Sequence, residues 1–473
     1  MLATRRVFAG VTSGALARPL STTPTLPGIL RATRASSQRA RPGPRSSRDR
    51  RRSVSMSSAL PGPAGARVAV VGGGVAGLTA ASRLAQAGCD VTVYETGRGP
   101  GGRASTRRGD TPDLQWDHGA QFFRADDPNF RALVEEWRAA GFVAEWTGTF
   151  GTLDATTGAF LPETSDAPPR PRWVGTPSMS SIPRRLSETP GIRFLPSRRV
   201  VGFEGGPGSD APEGSWTVVH RSSAPPADDA PAPPPTRDEG FAVVVAADKQ
   251  TASDRSTRVY GEPPPLASAS APNAWKGMRA AGQTPSFALM LTVDAPDGVP
   301  PLFPFQGATV TGDARVAWVA EDSSKPGRPG AGGPRACWVA QSTPEYAAER
   351  VAAKLTVPGT SPHRRLLEEV AEEMTESIVA MAERASGGKV SREDVSAKLV
   401  AATAHRWGAA FPDGGATELA AASGGGCLWD AERRVVGCGD FCVKPKVEGA
   451  ALSGAAAAAR TLSALGPAPA AAL

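Results

Sequence analysis

Apolar residues first run without interruption at Val68-Ala69-Val70-Val71. The run is short and uncharged, the pattern of a strand covered on both faces of a parallel sheet. Leu78, Ala81, Leu84 and Ala85 then recur at helical spacing and predict a helix over 78–87, closed by Gly88; Asp90-Val91-Thr92-Val93-Tyr94-Glu95 follows as a second strand. Further on, 192–194, 200–203, 216–220 and the fully apolar 241–246 predict strands, as do 286–294, 315–320 and 337–341. Pro344-Glu345-Tyr346 opens a predicted helix to about residue 355. Ser361-Pro362 supplies an N-cap and a first-turn proline for a longer one, carrying Leu366, Val370, Met374, Ile378 and Met381 on one stripe up to Gly387-Gly388. That stripe reads as core. A last strand over 434–436 and a helix over 447–465 made largely of Ala and Gly complete the pattern.

Between the first strand and its helix stands Gly72-Gly73-Gly74-Val75-Ala76-Gly77, a G-x-G-x-x-G sequence, and Glu95 follows 18 residues after Gly77. Each position has a physical task. Gly72 allows the tight turn, Gly74 lets backbone approach a pyrophosphate, and Gly77 lets helix and strand pack closely. The helix N-terminus offers free amides and a partial positive charge to phosphates. Glu95 can accept both adenosine ribose hydroxyls and would repel a 2′-phosphate. Strand, glycines, helix, strand and acid all fall at the spacing of a dinucleotide site.

A second glycine loop follows, Gly97-Arg98-Gly99-Pro100-Gly101-Gly102-Arg103-Ala104-Ser105. Fingerprint, acid and Gly-Gly-Arg-x-Ser together resemble the FAD-binding amine-oxidase superfamily. The resemblance implies FAD, with Gly101, Gly102 and Arg103 at its pyrophosphate and ribityl region. Asp117-His118-Gly119-Ala120-Gln121-Phe122-Phe123 is similar to the Asp-x-Gly-Ala-Gln-aromatic segment of renalase-like flavoproteins. His405-Arg406-Trp407, Gly437-Cys438-Gly439-Asp440 and Val447-Glu448-Gly449-Ala450 extend the likeness to renalase-like FAD/NAD(P)-binding oxidoreductases of plants and algae. Asp440, at a strand end among glycines, is expected to accept from the ribityl chain, and the helix start at Val447–Ala450 to aim its dipole at the flavin's pyrimidine edge.

Charge changes the picture at one end only. The chain of 473 residues carries a formal +7, but residues 1–60 hold twelve Arg, no Lys and the single acid Asp49, or +11, leaving −4 for the rest. The basic balance is therefore no argument for a nucleic-acid surface. An Arg-, Ser- and Thr-rich segment nearly free of acids reads as an organelle transit peptide, with chloroplast (stroma) favoured and mitochondrion the alternative. No uncharged apolar run reaches the roughly 18 residues of a membrane helix, so no integral membrane segment is expected. Five irregularly spaced cysteines and four histidines without paired spacing argue against a disulfide framework and a zinc site.

The expected fold class is α/β, a discontinuous Rossmann-type FAD-binding domain (67–150, 190–260 and 400–465) with a mixed-sheet α+β substrate domain (151–189 and 261–399). The proline-rich 221–240 is expected to be an irregular insertion at a hairpin tip. One dinucleotide fingerprint, not two, points to a small-molecule substrate that meets the flavin directly. The expected activity is an FAD-dependent oxidase, with FAD held non-covalently. By the resemblance its substrate is a small amine-like or dihydronicotinamide-type molecule and oxygen its acceptor. The alternatives are a plastid carotenoid or tetrapyrrole precursor desaturase or oxidase, and a non-catalytic flavoprotein. Candidate catalytic residues are His405 as a proton relay, Trp407 as a cavity wall and Gln121 on the opposite wall, with Arg406 and Phe123 beside them. Lys276, Lys325, Lys444 and Lys446 match no amine-oxidase lysine by context.

Overall fold

The computed structural model describes residues 63–163, 170–211, 214–223, 233–296, 302–353 and 356–466. The expected leader, 1–60, lies outside them. The central element is the parallel strand Arg67–Val71, whose Val68, Ala69 and Val70 have no exposed surface. It pairs with Val243–Ala246 on one side and Asp90–Tyr94 on the other. Val435–Gly437 and Ile192–Leu195 extend this sheet in parallel, and Leu428–Asp430 closes one edge antiparallel, giving six strands. The all-apolar runs expected of a doubly covered sheet thus occupy its middle.

The fingerprint helix begins at Val75, three residues before the expected start, and ends at Gln86. Val75, Ala76 and Gly77 form its first turn and are buried, so the glycine motif itself supplies the helix N-terminus. The carboxyl-terminal helix Val447–Leu465 packs along it. Its small side makes this possible: a Cβ on Gly454 would stand 2.2 Å from the Ala76 carbonyl oxygen.

A seven-stranded sheet forms the second lobe, in the order Leu399–Pro412, Gln283–Asp294, Arg335–Ser342, Val316–Glu321, Gly307–Thr311, Phe150–Asp154 and Phe160–Pro162. It is antiparallel except where Gly307–Thr311 runs parallel to Phe150–Asp154. The helix Ser361–Ala385 covers one face. Its stripe, Leu366, Val370, Met374, Ile378 and Met381, packs with Phe287, Leu289, Leu291 and Trp338 of the sheet. Thr360, rather than Ser361, occupies the N-cap, because Ser361 already belongs to the first turn next to Pro362.

The lobes exchange more chain than the sequence division allows. Leu399–Pro412, placed by sequence in the nucleotide domain, is hydrogen-bonded to Gln283–Asp294 of the second sheet from Pro412 to Leu399. Conversely, the helix Pro272–Ala280 docks on the nucleotide sheet, where Asp430 accepts from Asn273 N (2.9 Å) and Ala274 N (2.7 Å). The helix Ser181–Ser187 also sits there, with Ile182 and Leu186 in the core under the fingerprint helix and a hydroxyl contact of 2.9 Å between Ser82 and Thr189. Amphipathic pattern marks these elements as half-buried but does not say against which sheet.

Arg198–Gly205, Trp216–Ser222 and Thr236–Phe241 make a three-stranded antiparallel sheet. The last two form the expected hairpin, but pairing of His220 with Thr236 carries the ladder into the segment set aside as irregular. Residues 224–232 at its tip lie outside the described residues.

Candidate active site

The strand Arg67–Val71 ends on Gly72, whose φ of +110° and whose approach to Asp248 N (3.0 Å from a notional Cβ) demand glycine. At Gly77 a Cβ would meet the Gly72 carbonyl oxygen at 2.0 Å, so helix and turn touch backbone to backbone. Gly74, the N-cap, has nothing within 4 Å of its notional Cβ. Glycine is thus used twice for packing and once to keep a space clear. The first turn holds no acidic residue, and its amides at Val75, Ala76 and Gly77 lack intrahelical acceptors. Such a clear, electropositive cradle fits the pyrophosphate of a flavin dinucleotide.

Glu95, at the end of the second strand, accepts from Gly73 N (2.6 Å) and Gly97 N (2.5 Å). Burial raises its pKa and these two bonds oppose the rise. The carboxylate expected to be free for ribose is therefore anchored between the glycine loops, with one lone pair left on each oxygen for a hydroxyl. Gly101 N donates to Gly73 O (2.9 Å), and Gly101 bridges to Gly74, so the second loop lies alongside the first. At Gly102, φ is +55° and a Cβ would be 3.3 Å from the Gly74 Cα.

Arg103 turns back across the sheet ends. Its guanidinium donates to both oxygens of Asp440 at 2.6 Å and to the Ala410 carbonyl at 3.1 Å. Asp440, expected to serve a ribityl chain, has its carboxylate in this ion pair and is buried. Glu448 departs further from expectation. It has no exposed surface, accepts from Asp126 N (2.9 Å) and Asp127 N (2.5 Å), and pairs with Lys444. The positive end of the helix Val447–Leu465 already has an acid in its first turn, which answers the dipole meant for the flavin. Val447 and Ala450 pack on the nucleotide core, and Gly449 lies against the Lys444 backbone, where a Cβ would be 2.0 Å from the carbonyl oxygen.

The carbonyl of Arg103 accepts from Ala120 N at 2.8 Å, and a Cβ on Gly119 would stand 2.1 Å from it and 3.4 Å from the Trp407 ring. This seam joins the cofactor loop to the second lobe. His118 stacks on Trp407 (centroids 5.1 Å apart, planes at 28°), and His405 meets both rings edge-on at 4.7 and 4.6 Å. Trp407 Nε1 donates to the His118 carbonyl (2.8 Å), and Gln341 Nε2 to the Gly119 carbonyl (2.6 Å). Burial lowers the pKa of His118 to about 4, and burial with the neighbouring His118 and Arg107 charges lowers that of His405 to about 3. Both imidazoles are neutral at pH 7. A base this weak is poorly matched to proton transfer near neutrality, so His405 fits a hydrogen-bonding wall better than the expected relay. Gln121 Nε2 donates to the Asp117 carbonyl, while among the described residues Gln121 Oε1 and His118 Nδ1 are buried without partners. Phe123 is buried and packs in the nucleotide core against Phe130 and Trp137.

Behind this wall lies a cluster of four charged residues that sequence order does not bring together. Asp117 and Asp322 are wholly buried, as are the side chains of Lys325 and, nearly so, Arg328. Lys325 Nζ lies 3.1 Å from Asp117 and also pairs with Asp322; Arg328 pairs with Asp117. Thr106 (2.6 Å) and Met179 N (3.0 Å) complete the Asp117 shell, and the cationic neighbours hold its carboxyl below the usual range against the effect of burial. Lys325 matches no amine-oxidase lysine by context, and only the fold brings 117 and 325 together. Lys249, also unforeseen, packs toward Arg103, Asp440 and Asp413, and burial lowers its pKa to about 8.

Residues 70–137 match the model of the NAD(P)-binding Rossmann-like domain family. A zeta-carotene-forming phytoene desaturase of Myxococcus xanthus is 51% identical over 55 residues, 12% of this chain and 10% of that one; the chain thus matches about a tenth of the length of this curated relative. Among solved structures, a protein described as a candidate protoporphyrinogen oxidase from Exiguobacterium sp. 255-15 aligns with a TM-score of 0.56 at 11% identity, covering 84% of this chain and 99% of that one. Putrescine oxidase bound to putrescine aligns with a TM-score of 0.52 at 14% identity over the same shares. At such identities the likeness speaks for the fold. The molecule is a two-lobed α/β protein with the architecture of the FAD-binding amine oxidases, opened by an NAD(P)-binding Rossmann-like domain.

Proposed function

We propose that the protein is an FAD-dependent oxidoreductase of the amine-oxidase superfamily, renalase-like in type. In this reading it oxidises a small amine-like or dihydronicotinamide-type molecule and passes the electrons to oxygen. One observation carries the reading: the Gly119–Arg103 seam sets the neutral His118–His405–Trp407 wall against the loop that lines the dinucleotide cradle. Bound FAD supplies hydride acceptance at its ring. The chain's own residues do the rest. The Gly74 clearing and the first-turn amides would bind the pyrophosphate, Glu95 would orient the adenosine ribose, and Arg103 with Asp440 braces the second glycine loop. Trp407 and His118 offer an uncharged stacking face that excludes water, and the unpartnered Gln121 Oε1 and His118 Nδ1 are hydrogen-bonding groups for a bound molecule.

The test is purification followed by anaerobic titration. A yellow protein bleached by dihydronicotinamides or amines and recoloured by air supports the reading; a folded protein without flavin overturns it. Denaturation is expected to release the flavin, which in this reading is held non-covalently. A second reading, a desaturase or oxidase of a carotenoid or tetrapyrrole precursor, draws on the 51% identity with the desaturase segment and on the fold shared with the candidate protoporphyrinogen oxidase. Bleaching by a tetrapyrrole precursor alone would favour it. The Arg-rich residues 1–60 support import into a chloroplast.

A further inference from the structure

Beside the proposed site, on the same strand, lies a feature that reading does not use. Arg406 stands between His405 and Trp407 and belongs to the second lobe, whereas Arg255 opens the short helix Arg255–Tyr260 that follows Asp248 of the nucleotide lobe. The two guanidinium groups converge on Gly408. A Cβ there would be 3.9 Å from Arg406 Nη2 and 4.0 Å from Arg255 Nη1, with nothing nearer, and Gly408 is exposed. Two like charges therefore flank one solvent-open point, and among the described residues neither has a carboxylate within ion-pair distance.

Arg406 is not free to swing away. Its Nη1 donates to the Thr356 hydroxyl (3.0 Å), which in turn contacts His363 Nδ1 at 2.9 Å. Arg406 and His363 both have lowered pKa values, from burial first, and then from the Arg255 charge on Arg406 and from the Arg406 and Arg255 charges on His363. Fixed, partly desolvated and uncompensated guanidinium groups are the arrangement that recognises an oxyanion, which accepts from each side and removes their repulsion.

We infer that Arg255 and Arg406 form an oxyanion-binding site across the seam of the two lobes at Gly408, taking a phosphate or carboxylate group. The group belongs to an organic molecule or is free phosphate; the shared chemistry is a tetrahedral or planar oxyanion held by two arginines. A filled site ties the lobes together beside the candidate active site.

Isothermal titration of the purified, flavin-loaded protein with inorganic phosphate and with phenyl phosphate tests this. Saturable phosphate binding is expected, weakened at least tenfold in Arg406→Gln and in Arg255→Gln, and unchanged in Arg131→Gln, an exposed arginine of another helix. Phenyl phosphate binding tighter than inorganic phosphate identifies the organic source; equal binding identifies the free ion. Gly408→Glu places a carboxylate between the guanidinium groups and is expected to abolish phosphate binding while raising the melting temperature in phosphate-free buffer. Equal phosphate affinity in parent and both arginine variants, or none in the parent, overturns the site. Loss of flavin from Arg406→Gln would assign the arginine to the cofactor and also overturn it. Absence of flavin from the parent would instead defeat the oxidoreductase reading and leave the phosphate titration standing.

Discussion

Arg103 and Asp440, 337 residues apart, meet through two parallel hydrogen bonds of 2.6 Å, the fork geometry of an arginine on a carboxylate. The pair joins the loop after the second strand to the loop before the last helix, the two ends of the chain that carry the cofactor motifs. Arg103 is 41% exposed and Asp440 5%, so solvent screens one partner while the other depends on the bond. Arg103→Ala is expected to cost about 1–2 kcal/mol of stability, the low end for charged hydrogen bonds, and to speed flavin loss. Thermal melts and the flavin remaining after gel filtration measure the two effects separately.

The two fingerprint glycines should respond oppositely to the same substitution. Gly77→Ala sets a methyl 2.0 Å from the Gly72 carbonyl, and overpacking of this kind costs about 1–3 kcal/mol. Gly74→Ala meets nothing within 4 Å and is expected to melt within about 0.5 kcal/mol of the parent, yet to purify without flavin, because its methyl fills the space kept for the pyrophosphate. A colourless, unstable Gly74→Ala would refute the assignment of that space to a ligand.

Acid should destabilise the fold early. His118 and His405 drop from an ordinary value of 6.5 to about 4 and about 3 in the folded protein. Their unfolded forms bind protons first as pH falls, so ΔG of unfolding decreases below about pH 6.5, by up to about 1.4 kcal/mol per pH unit for each imidazole, until each reaches its folded pKa. Above pH 6.5 the contribution is flat. His405→Asn is expected to shrink the slope between pH 6 and 4, measured by urea melts at a series of pH values.

Removing Lys325 should be severe. It lies with Asp117, Asp322 and Arg328 out of contact with solvent, and breaking a buried ion pair from one side costs about 3–5 kcal/mol. Lys325→Met is expected to lower Tm strongly, with Lys325→Arg recovering part of it. A shift under about 1 kcal/mol in both would mean that water or rearrangement compensates the acids.

Trp407→Phe keeps a ring against His118 but removes the 2.8 Å bond to its carbonyl. The expected stability loss is about 1 kcal/mol, with a rise in KM larger than any fall in kcat, since the residue forms a wall and touches no transferring proton. A fall in kcat alone would place Trp407 in the chemistry.

Local pattern was enough to reveal the nucleotide half. The strand at Val68–Val71, the glycine turn, the helix and Glu95 are contiguous, and their tasks follow from φ angles, helix amides and spacing. The stripe from Leu366 to Met381 was equally legible, because a period near 3.6 identifies a buried helix face wherever it docks. The site beyond the cradle was legible only as residue names. His118, His405 and Trp407 were on view, but not that the three rings meet one another or that burial lowers both imidazole pKa values. Asp440 and Glu448 carried the right charge for a cofactor, yet the nearest partners in space are Arg103 for one and Lys444 with two backbone amides for the other.

The sequence by itself determined the dinucleotide cradle and the parallel sheet around it, since those depend on interactions within about thirty residues, where backbone geometry and hydrophobic period act directly. Tertiary structure alone decided which lobe owns Leu399–Pro412, that Lys325 and Arg328 bury beside Asp117, and that Arg255 and Arg406 share Gly408. Strand pairing and burial of charge set those outcomes across long stretches of chain, and neither leaves a periodic mark in the sequence.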